Sequence, residues 1–343
     1  MVVQSKLNFS DSKCLFLLRK AYKCNNQQFI RMSTEVRDPG FGKIFDGNFS
    51  RLINKDGSFN VRVKGVRYSL RDAYVLMVGM KWIPFMMVLV GGYFFVNLIF
   101  AFIYLSIGIE QLTVEKSVSD WDNFVQAFFF STQTCTTVGY GILAPKDNGA
   151  SMVAALEAMM GFFMFSVATG LIYGRFSRPK PRFLFSEKMI LAPYKDQQNA
   201  LMFRVSNGRS NALMDLSVNV MLAMRTKDQH GWSLKYFRLK LETSRIHFLP
   251  LSWTIVHPID EESPFYGLSP SAIEAMSGEV LVLFRAFDEG FGQLIHKRHS
   301  YILNDEFIIG AKFVRNFGPN EDGSIDLRND HIGDYVKCEL NPV

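Results

Sequence analysis

The sequence predicts a chain in two parts, an α-helical membrane module with two spans and an all-β, immunoglobulin-like cytoplasmic sandwich. Three observations lead to this prediction. Two long apolar segments, residues 83–107 and 151–174, flank a shorter apolar run at 121–136. Basic residues follow the second long segment at once. Beyond residue 180 the apolar residues fall into short runs that turn signals separate, which predicts strands at residues 201–205, 216–224, 237–241, 253–257, 279–287 and 307–317.

Composition limits the function classes. The 343 residues are enough for two or three structural units, and the net charge of +6 is modest for that length. We therefore expect no nucleic-acid partner. The four cysteines show no metal-ligand spacing, and the segments between the two spans hold no cysteine pair. Neither a metal site built on cysteines nor an external disulfide is expected.

The chain begins with a basic tail, residues 1–37, which we expect to be disordered. Residues 38–68 form an N-terminal cytoplasmic segment with several turn signals. Within it, residues 59–68 alternate apolar and charged side chains, Val61 and Val63 among the apolar ones, which predicts one strand.

Residues 69–81 are predicted to form a helix that lies in the membrane interface. Ser69 is a suitable N-cap, and Asp72 stands where a capping box places its acid. Apolar residues recur at three- and four-residue steps between basic flanks, as in helices at the surface of a bilayer. Packing against a soluble partner is the alternative, although a membrane span follows directly.

Residues 82–175 form the predicted pore module. The span at 83–107 contains no charged residue and would be about 37 Å long as a helix, enough to cross a bilayer. The span at 151–174 contains Glu157 as its only charged residue. The run at 121–136 is too short to cross, so we expect a re-entrant helix surrounded by protein. Basic residues at the inner ends of the spans place both termini in the cytoplasm.

The pore helix and the hexapeptide after it, together residues 121–141, predict an ion-selective loop. The hexapeptide consists of Thr136, Thr137, Val138, Gly139, Tyr140 and Gly141. The two glycines lack Cβ and accept backbone torsions that other residues resist. Carbonyls of Thr137, Val138, Gly139 and Tyr140, supplied by four copies of the chain, would replace the hydration shell of K⁺. A β-branched strand that enters a glycine-rich turn is the alternative. No cofactor is expected besides the K⁺ ions.

Over residues 38–317 the chain resembles the inward-rectifier potassium channels, and most closely their prokaryotic branch. The hexapeptide would fit any potassium channel, so the specific resemblance lies in residues 169–179, 251–260, 263–268 and 292–301. It implies a homotetramer with a continuous axial pathway in a bacterial inner membrane. It also implies that residues 69–81 are the slide helix of the family.

The resemblance further implies where the pathway closes. Tyr173 matches the bulky residue of the helix-bundle gate. The cytoplasmic constriction of the family falls on Glu289, Gly290, Phe291 and Gly292. The residues expected to line the pathway are Glu157, Phe165, Thr169 and Asp215. For Glu157, which stands one helical turn before Gly161, the alternative is a position against the pore helix.

Three departures from the family pattern change these expectations. Phe165 stands where strongly rectifying relatives carry an acid, so block by Mg²⁺ or polyamines should be weak. Gln133 and Leu143 stand where relatives pair a glutamate with an arginine beside the filter. The filter must therefore be braced differently, and Glu157 is the candidate. Pro181 interrupts the basic cluster that animal relatives use for anionic lipids.

Anionic lipid is the expected partner at the inner membrane surface. The residues expected to bind it are Lys81, Trp82, Arg175, Arg178, Lys180 and Arg182. Their alternative role is topology alone, because any two-span protein needs positive charge on its inner side. The sign of the lipid effect is left open.

Two other function classes explain less of the sequence. The polar cluster at 296–300 holds two histidines but no nucleophile–base–acid arrangement, so we expect no enzyme activity. A membrane-anchored β-sandwich that binds a partner would account for residues 180–343. It would leave the uncharged spans and the hexapeptide unexplained.

Overall fold

The computed structural model describes residues 35–36, 38–42, 51–65, 69–113, 117–228 and 231–342. The predicted basic tail falls almost entirely outside these residues. The described chain forms two compact units. One unit is Val63–Arg178, and the other combines the described residues up to Arg62 with those from Pro179 onward.

The unit Val63–Arg178 is helical. Its four helices are α1 (Leu70–Gly79), α2 (Trp82–Ile107), α3 (Asp120–Cys135) and α4 (Asn148–Phe176). Helices α2 and α4 have 26 and 29 residues and are long and apolar enough to cross a membrane. Helix α3 lies against both of them, and the cluster around Ala101, Ala127 and Ala150 fills the space between.

Capping side chains decide where these helices begin. Ser119 accepts the backbone N–H of Asp122, so α3 begins at Asp120, one residue before the predicted start. Asp147 Oδ1 accepts the N–H of Ala150 at 2.8 Å, so α4 begins three residues before the predicted 151. At α1, the carboxylate of Asp72 accepts the N–H of Ser69 at 2.7 Å.

The second unit is a β-sandwich, as the sequence predicts. Its first sheet has the order β1–β6–β5–β9–β10, with β7 beside β5. The strands are β1 (Glu35–Val36), β5 (Leu213–Asp228), β6 (Gly231–Arg238), β7 (Arg245–Phe248), β9 (Gly278–Asp288) and β10 (Gln293–Ile302).

The second sheet has the order β11–β3–β4–β2, with β8 beside β4. Its strands are β2 (Phe183–Phe185), β3 (Met189–Pro193), β4 (Asn199–Asn207), β8 (Trp253–Pro258) and β11 (Phe307–Ile309). Only the β3–β11 pair of this sheet is parallel. Side chains from both sheets, among them Val205, Leu216 and Phe284, form one continuous core.

Short elements complete this unit. The remaining strands are β12 (Ala311–Phe313), β13 (Phe317–Pro319), β14 (Ile325–Leu327) and β15 (Tyr335–Lys337), which form the pairs β12–β15 and β13–β14. Helix α5 is Pro270–Glu274, with Ser269 as its N-cap. The sequence predicted one strand over 307–317, but Gly310, whose φ is +65°, breaks that stretch between β11 and β12.

The strand predicted at 59–68 is wrong over its described part, residues 59–65. Only Phe59 forms a bridge there, with Ile53, and the side chains of Val61 and Val63 are exposed. Alternation alone does not make a strand, because the ladder also needs a neighbouring chain. Residues 66–68 lie outside the described chain.

The segment 51–59 instead docks on the sandwich through two buried carboxylates. Glu279 accepts the backbone N–H groups of Leu52 and Ile53 at 2.6 and 3.1 Å. Glu306 forms ion pairs with Arg51 at 2.7 Å and with Lys55 at 2.9 Å. Burial opposes ionisation of Glu306, but these cations and the N–H of Ile302 lower its pKa overall.

Candidate functional site

The filter loop, residues 136–141, continues directly from the C-terminal end of α3. Backbone hydrogen bonds tie it to the last turn of that helix. The N–H of Thr137 donates to Thr134 O at 3.0 Å, and the carbonyl of Gln133 accepts from Val138 and Gly139 at 3.0 and 3.4 Å. The position of the loop therefore follows the position of the end of α3.

The backbone of the filter loop has left-handed torsions at alternate residues. The φ angles are +61° at Thr137, +47° at Gly139 and +85° at Gly141. Alternation of left- and right-handed torsions turns successive carbonyls toward the same side of a chain. Such a row of oxygens can coordinate a dehydrated cation. Val138 and Tyr140 are exposed within the single chain, so the loop has free surface for further copies of the chain.

Helix α4 backs α3 at two places. Glu157 Oε1 hydrogen-bonds with Ser131 on α3, and Glu157 Oε2 accepts from the hydroxyl of Tyr104 on α2 at 2.7 Å. One turn later, Gly161 lies so close to α3 that an added Cβ would be 2.1 Å from the carbonyl oxygen of Cys135. Glu157 is fully buried by these contacts. Of the two positions expected for Glu157, the structure therefore shows the one against the pore helix and not the one on the pathway.

Three further residues, Tyr104, Ser131 and Asn97, have a place in this site that was not predicted. All three are buried beside Glu157, and Ser131 Oγ lies 3.1 Å from both oxygens of Asn97. Their signal in the sequence is polarity within apolar runs, since polar side chains at membrane depth tend to have partners or a function.

The two departures beside the filter loop leave no ion pair there. Gln133 Oε1 is buried, and no hydrogen-bond partner for it occurs among the described residues. Leu143 packs against the apolar cluster between the helices. Within the single chain, the buried polar contacts between α4 and α3 instead run through Glu157.

Three predicted pathway residues of α4 share one face. Phe165, Thr169 and Tyr173 are spaced four residues apart, so their side chains lie one above another along the helix. All three are exposed in the single chain, and the side chain of Thr169 donates to the carbonyl of Phe165 at 2.9 Å. This face is available to other copies of the chain.

Arg175 is not available as a lipid ligand, which corrects the prediction. Its guanidinium is buried and donates to the carbonyls of Met77, Val78 and Met80 at 2.7–3.0 Å. It also lies over the rings of Trp82 and Phe85, 4.6 and 4.4 Å from their centroids. Arg175 therefore fastens the end of α4 to the C-terminal end of α1.

The other predicted lipid residues are exposed. They are Lys81 and Arg178 in the helical unit, and Lys180 and Arg182 in the sandwich unit. Trp82 begins α2 and keeps 45% of its surface exposed despite its contact with Arg175.

In the sandwich unit, the predicted pathway residues lie at the end of the first sheet. Asp215 has a φ of +47° at the irregularity between Met214 and Ser217, and it pairs with Arg245 at 3.5 Å and with His247 at 3.3 Å. Residues 289–292 form the turn that joins β9 to β10. The backbone N–H of Phe291 donates to Asp288 Oδ1 at 3.4 Å, and Gly292 has a φ of +60°.

Two family profiles match almost the whole described chain. Residues 53–179 match the inward rectifier potassium channel transmembrane domain, and residues 183–341 match the C-terminal domain of the same channels. The chain is 36% identical over 286 residues to "Inward rectifier potassium channel Kirbac3.1" of Paramagnetospirillum magnetotacticum, which covers 82% of this chain and 95% of that protein.

Mammalian channels are also similar. The chain is 27% identical over 286 residues to "G protein-activated inward rectifier potassium channel 3" of Mus musculus and of Rattus norvegicus. These matches cover 77% of this chain and 72% of each relative. The similarity therefore extends through both units.

Proposed function

The chain belongs to the inward rectifier potassium channel family, and on that premise we propose that its homotetramer conducts K⁺ passively through the filter loop. It is an integral membrane ion channel and not an enzyme. The observation that carries the proposal is the filter loop itself, with positive φ angles at Thr137, Gly139 and Gly141 directly after the end of α3.

The proposed ligands are the carbonyls of Thr137, Val138, Gly139 and Tyr140, with the hydroxyl of Thr137 as a further ligand at the cavity end. K⁺ ions in the filter are the only bound group that the proposal requires. The carbonyl dipoles at the C-terminal end of α3 would favour a cation beyond the loop. No side-chain charge is needed for this selection, because oxygen dipoles replace the hydration shell.

Substitution of Gly139 by Ala tests the assignment. An added Cβ at Gly139 would meet no atom within 4 Å in the single chain, but the φ of +47° disfavours any side chain there. We expect the variant to lose K⁺ selectivity or conduction in liposome flux assays, with assembly retained. Unchanged selectivity for K⁺ over Na⁺ would refute the assignment of the filter.

We propose two constrictions. One is the ring of Tyr173 side chains from four copies, where aromatic rings can narrow and dewet the path. The other is the turn at 289–292 in the sandwich unit. The exposure of Tyr173, 73%, supports a role that needs further copies of the chain.

Anionic lipid is the proposed modulator at the inner membrane surface. With Arg175 buried, the proposal rests on Lys81, Trp82, Arg178, Lys180 and Arg182, and each basic residue there gains on the order of 1 kcal/mol from negative headgroups. Topology alone is the competing role. Flux measurements in vesicles with and without anionic lipid give the direction of the effect.

Weak rectification is proposed because α4 offers no acid on the face of Phe165, Thr169 and Tyr173. Steep voltage-dependent block needs a cation held far inside the membrane field by a nearby acid. Asp215 and Glu289 lie in the sandwich unit instead. Block there by Mg²⁺ or polyamines would depend only shallowly on voltage.

We propose that both termini lie in the cytoplasm and that the membrane is a bacterial inner membrane. Residues 110–150, between the spans, carry five acids against Lys116 and Lys146, whereas basic residues follow α4 at once. This asymmetry supports the orientation by the positive-inside rule.

A further inference from the structure

We propose that Glu157 is a positioning residue which, as an uncharged hydrogen-bonding strut between α2, α3 and α4, holds the filter loop in its selective geometry. The inference rests on the proposed function of that loop. It assigns Glu157 neither to the cavity nor to ion binding.

Four polar residues meet between the helices: Tyr104, Glu157, Ser131 and Asn97. All four residues are buried, and they come from three different helices. The hydroxyl of Tyr104 donates to Glu157 Oε2 at 2.7 Å, and Glu157 Oε1 hydrogen-bonds with Ser131 Oγ. Ser131 Oγ in turn lies 3.1 Å from both the backbone and the side-chain oxygen of Asn97.

A count of hydrogens favours the neutral carboxylic acid at Glu157. Ser131 has one hydroxyl hydrogen, but three oxygens surround it, and the amide of Asn97 is already directed to the carbonyl of Tyr93 at 2.7 Å. If Glu157 carries a proton on Oε1, it donates to Ser131, whose own hydrogen then serves Asn97. If Glu157 were a carboxylate, the hydroxyl hydrogen of Ser131 would be used on Glu157, and Asn97 would be left without it. A carboxylate would also be a buried charge, whose transfer from water costs far more free energy than that of a neutral carboxylic acid.

The ion pairs among the described residues also favour an uncharged Glu157. Among the residues that the structure describes, the ion pairs involve other acids, and the hydrogen-bond partners found for Glu157 are the hydroxyls of Tyr104 and Ser131. A buried intramembrane acid with no cation beside it costs less free energy in the uncharged form than as a carboxylate.

The strut acts on the filter loop through α3. Ser131 and Cys135 are four residues apart on α3, and their contacts on α4, Glu157 and Gly161, are also four residues apart. Both contacts therefore lie on one face of each helix. Two residues after Ser131, the carbonyl of Gln133 holds the N–H groups of Val138 and Gly139. A shift of α3 away from α4 would move these filter residues with it.

The test compares three variants in proteoliposomes, with K⁺ and Na⁺ flux and thermal stability as readouts. Glu157→Ala removes the strut and leaves buried partners unpaired, so we expect selectivity for K⁺ over Na⁺ to fall about tenfold or more. Glu157→Gln should keep wild-type selectivity, because its oxygen can accept from Tyr104 while its amide donates to Ser131. Leu171→Ala is the matched control: Leu171 is a buried residue of α4 that packs on Val78 and Phe85, and its loss should lower stability without changing selectivity.

Each outcome separates the inference from the function on which it rests. A wild-type protein without K⁺ selectivity would remove the proposed function itself. A selective wild type together with an equally selective Glu157→Ala would overturn the strut. Loss of selectivity in Glu157→Gln as severe as in Glu157→Ala would overturn the uncharged role and make the charge essential. If Glu157→Ala does not assemble, Ser131→Ala decides the question, since unchanged selectivity in that variant also overturns the strut.

Discussion

Substitution of Gly161 by Ala should push α3 away from α4 and so disturb the filter loop. The added Cβ would lie 2.1 Å from the carbonyl oxygen of Cys135 and 2.9 Å from its carbonyl carbon. An ordinary carbon–oxygen contact is about 3.3 Å, so the two helices must separate by about 1.2 Å at this point. The obstructing atoms are backbone and cannot move aside as a flexible side chain would.

The energetic effect has two opposing parts. Overpacking costs about 1–3 kcal/mol. Replacement of Gly by Ala inside a helix recovers about 1 kcal/mol. We therefore expect a modest net loss of stability in Gly161→Ala, together with a clear loss of K⁺ selectivity, because Cys135 directly precedes the filter loop.

Two control variants isolate the contact. Gly170 on α4 and Gly91 on α2 would gain a Cβ with no atom within 4 Å, so only the gain in helix propensity applies to them. Thermal unfolding and K⁺/Na⁺ flux of the three variants in liposomes give the comparison. Wild-type selectivity and stability in Gly161→Ala would refute the close approach of α4 to Cys135.

Three further predictions follow from the described residues. Neutralisation of Arg178 and Lys180 together, both to Gln, should abolish the response of flux to anionic lipid in vesicles of graded composition, and a full response would leave these residues a topological role only. Phe165→Asp should convert shallow block by cytoplasmic spermine into steep block in planar bilayers, since it places an acid on the exposed face of α4; steep block in the unmodified channel would contradict the proposal. The thermal stability of the full-length protein should fall as the pH drops below 6.5, because burial lowers the pKa of His299 from 6.5 to about 4 and the unfolded chain takes up the proton first. A second loss should follow at lower pH as Glu306, whose pKa is below its usual value, is protonated and releases Arg51 and Lys55. His299→Gln should reduce the first loss, to which His257 also contributes because burial lowers its pKa, and should leave the second loss unchanged. A pH-independent stability would refute both.

The predicted fold class is correct because its signals are local. Residues 83–107 exclude charge over the length of a bilayer, and residues 201–205 and 253–257 carry strand signals between turns. The predicted ends of the helices were less accurate, since a cap such as Asp147 adds a turn that hydropathy does not record.

Strand β10 was not predicted, because Lys297, Arg298 and the neighbouring histidines resemble a solvated loop. Its ten residues nevertheless pair in register with β9.

The direction in which side chains point from an apolar helix could not be predicted from the sequence. Helix α4 is apolar on all sides, so no polar stripe indicates that Glu157 turns toward α3 while Phe165 and Tyr173 are exposed. The same limit applies to the basic run after α4. Arg175 and Arg178 look equivalent in the sequence. In the structure Arg175 is buried and donates to backbone carbonyls at the C-terminal end of α1, whereas Arg178 is exposed.

By itself, the sequence determined the membrane module, the sandwich, the family and the torsional demands of the filter loop, since these depend on composition and on residues adjacent in the chain. Only the tertiary structure decided how the filter loop is supported. Support depends on Tyr104, Ser131 and Glu157, which are separated by up to 53 positions and meet only when three helices pack. Their contact is a property of helix rotation and distance, which side-chain types along the chain do not encode.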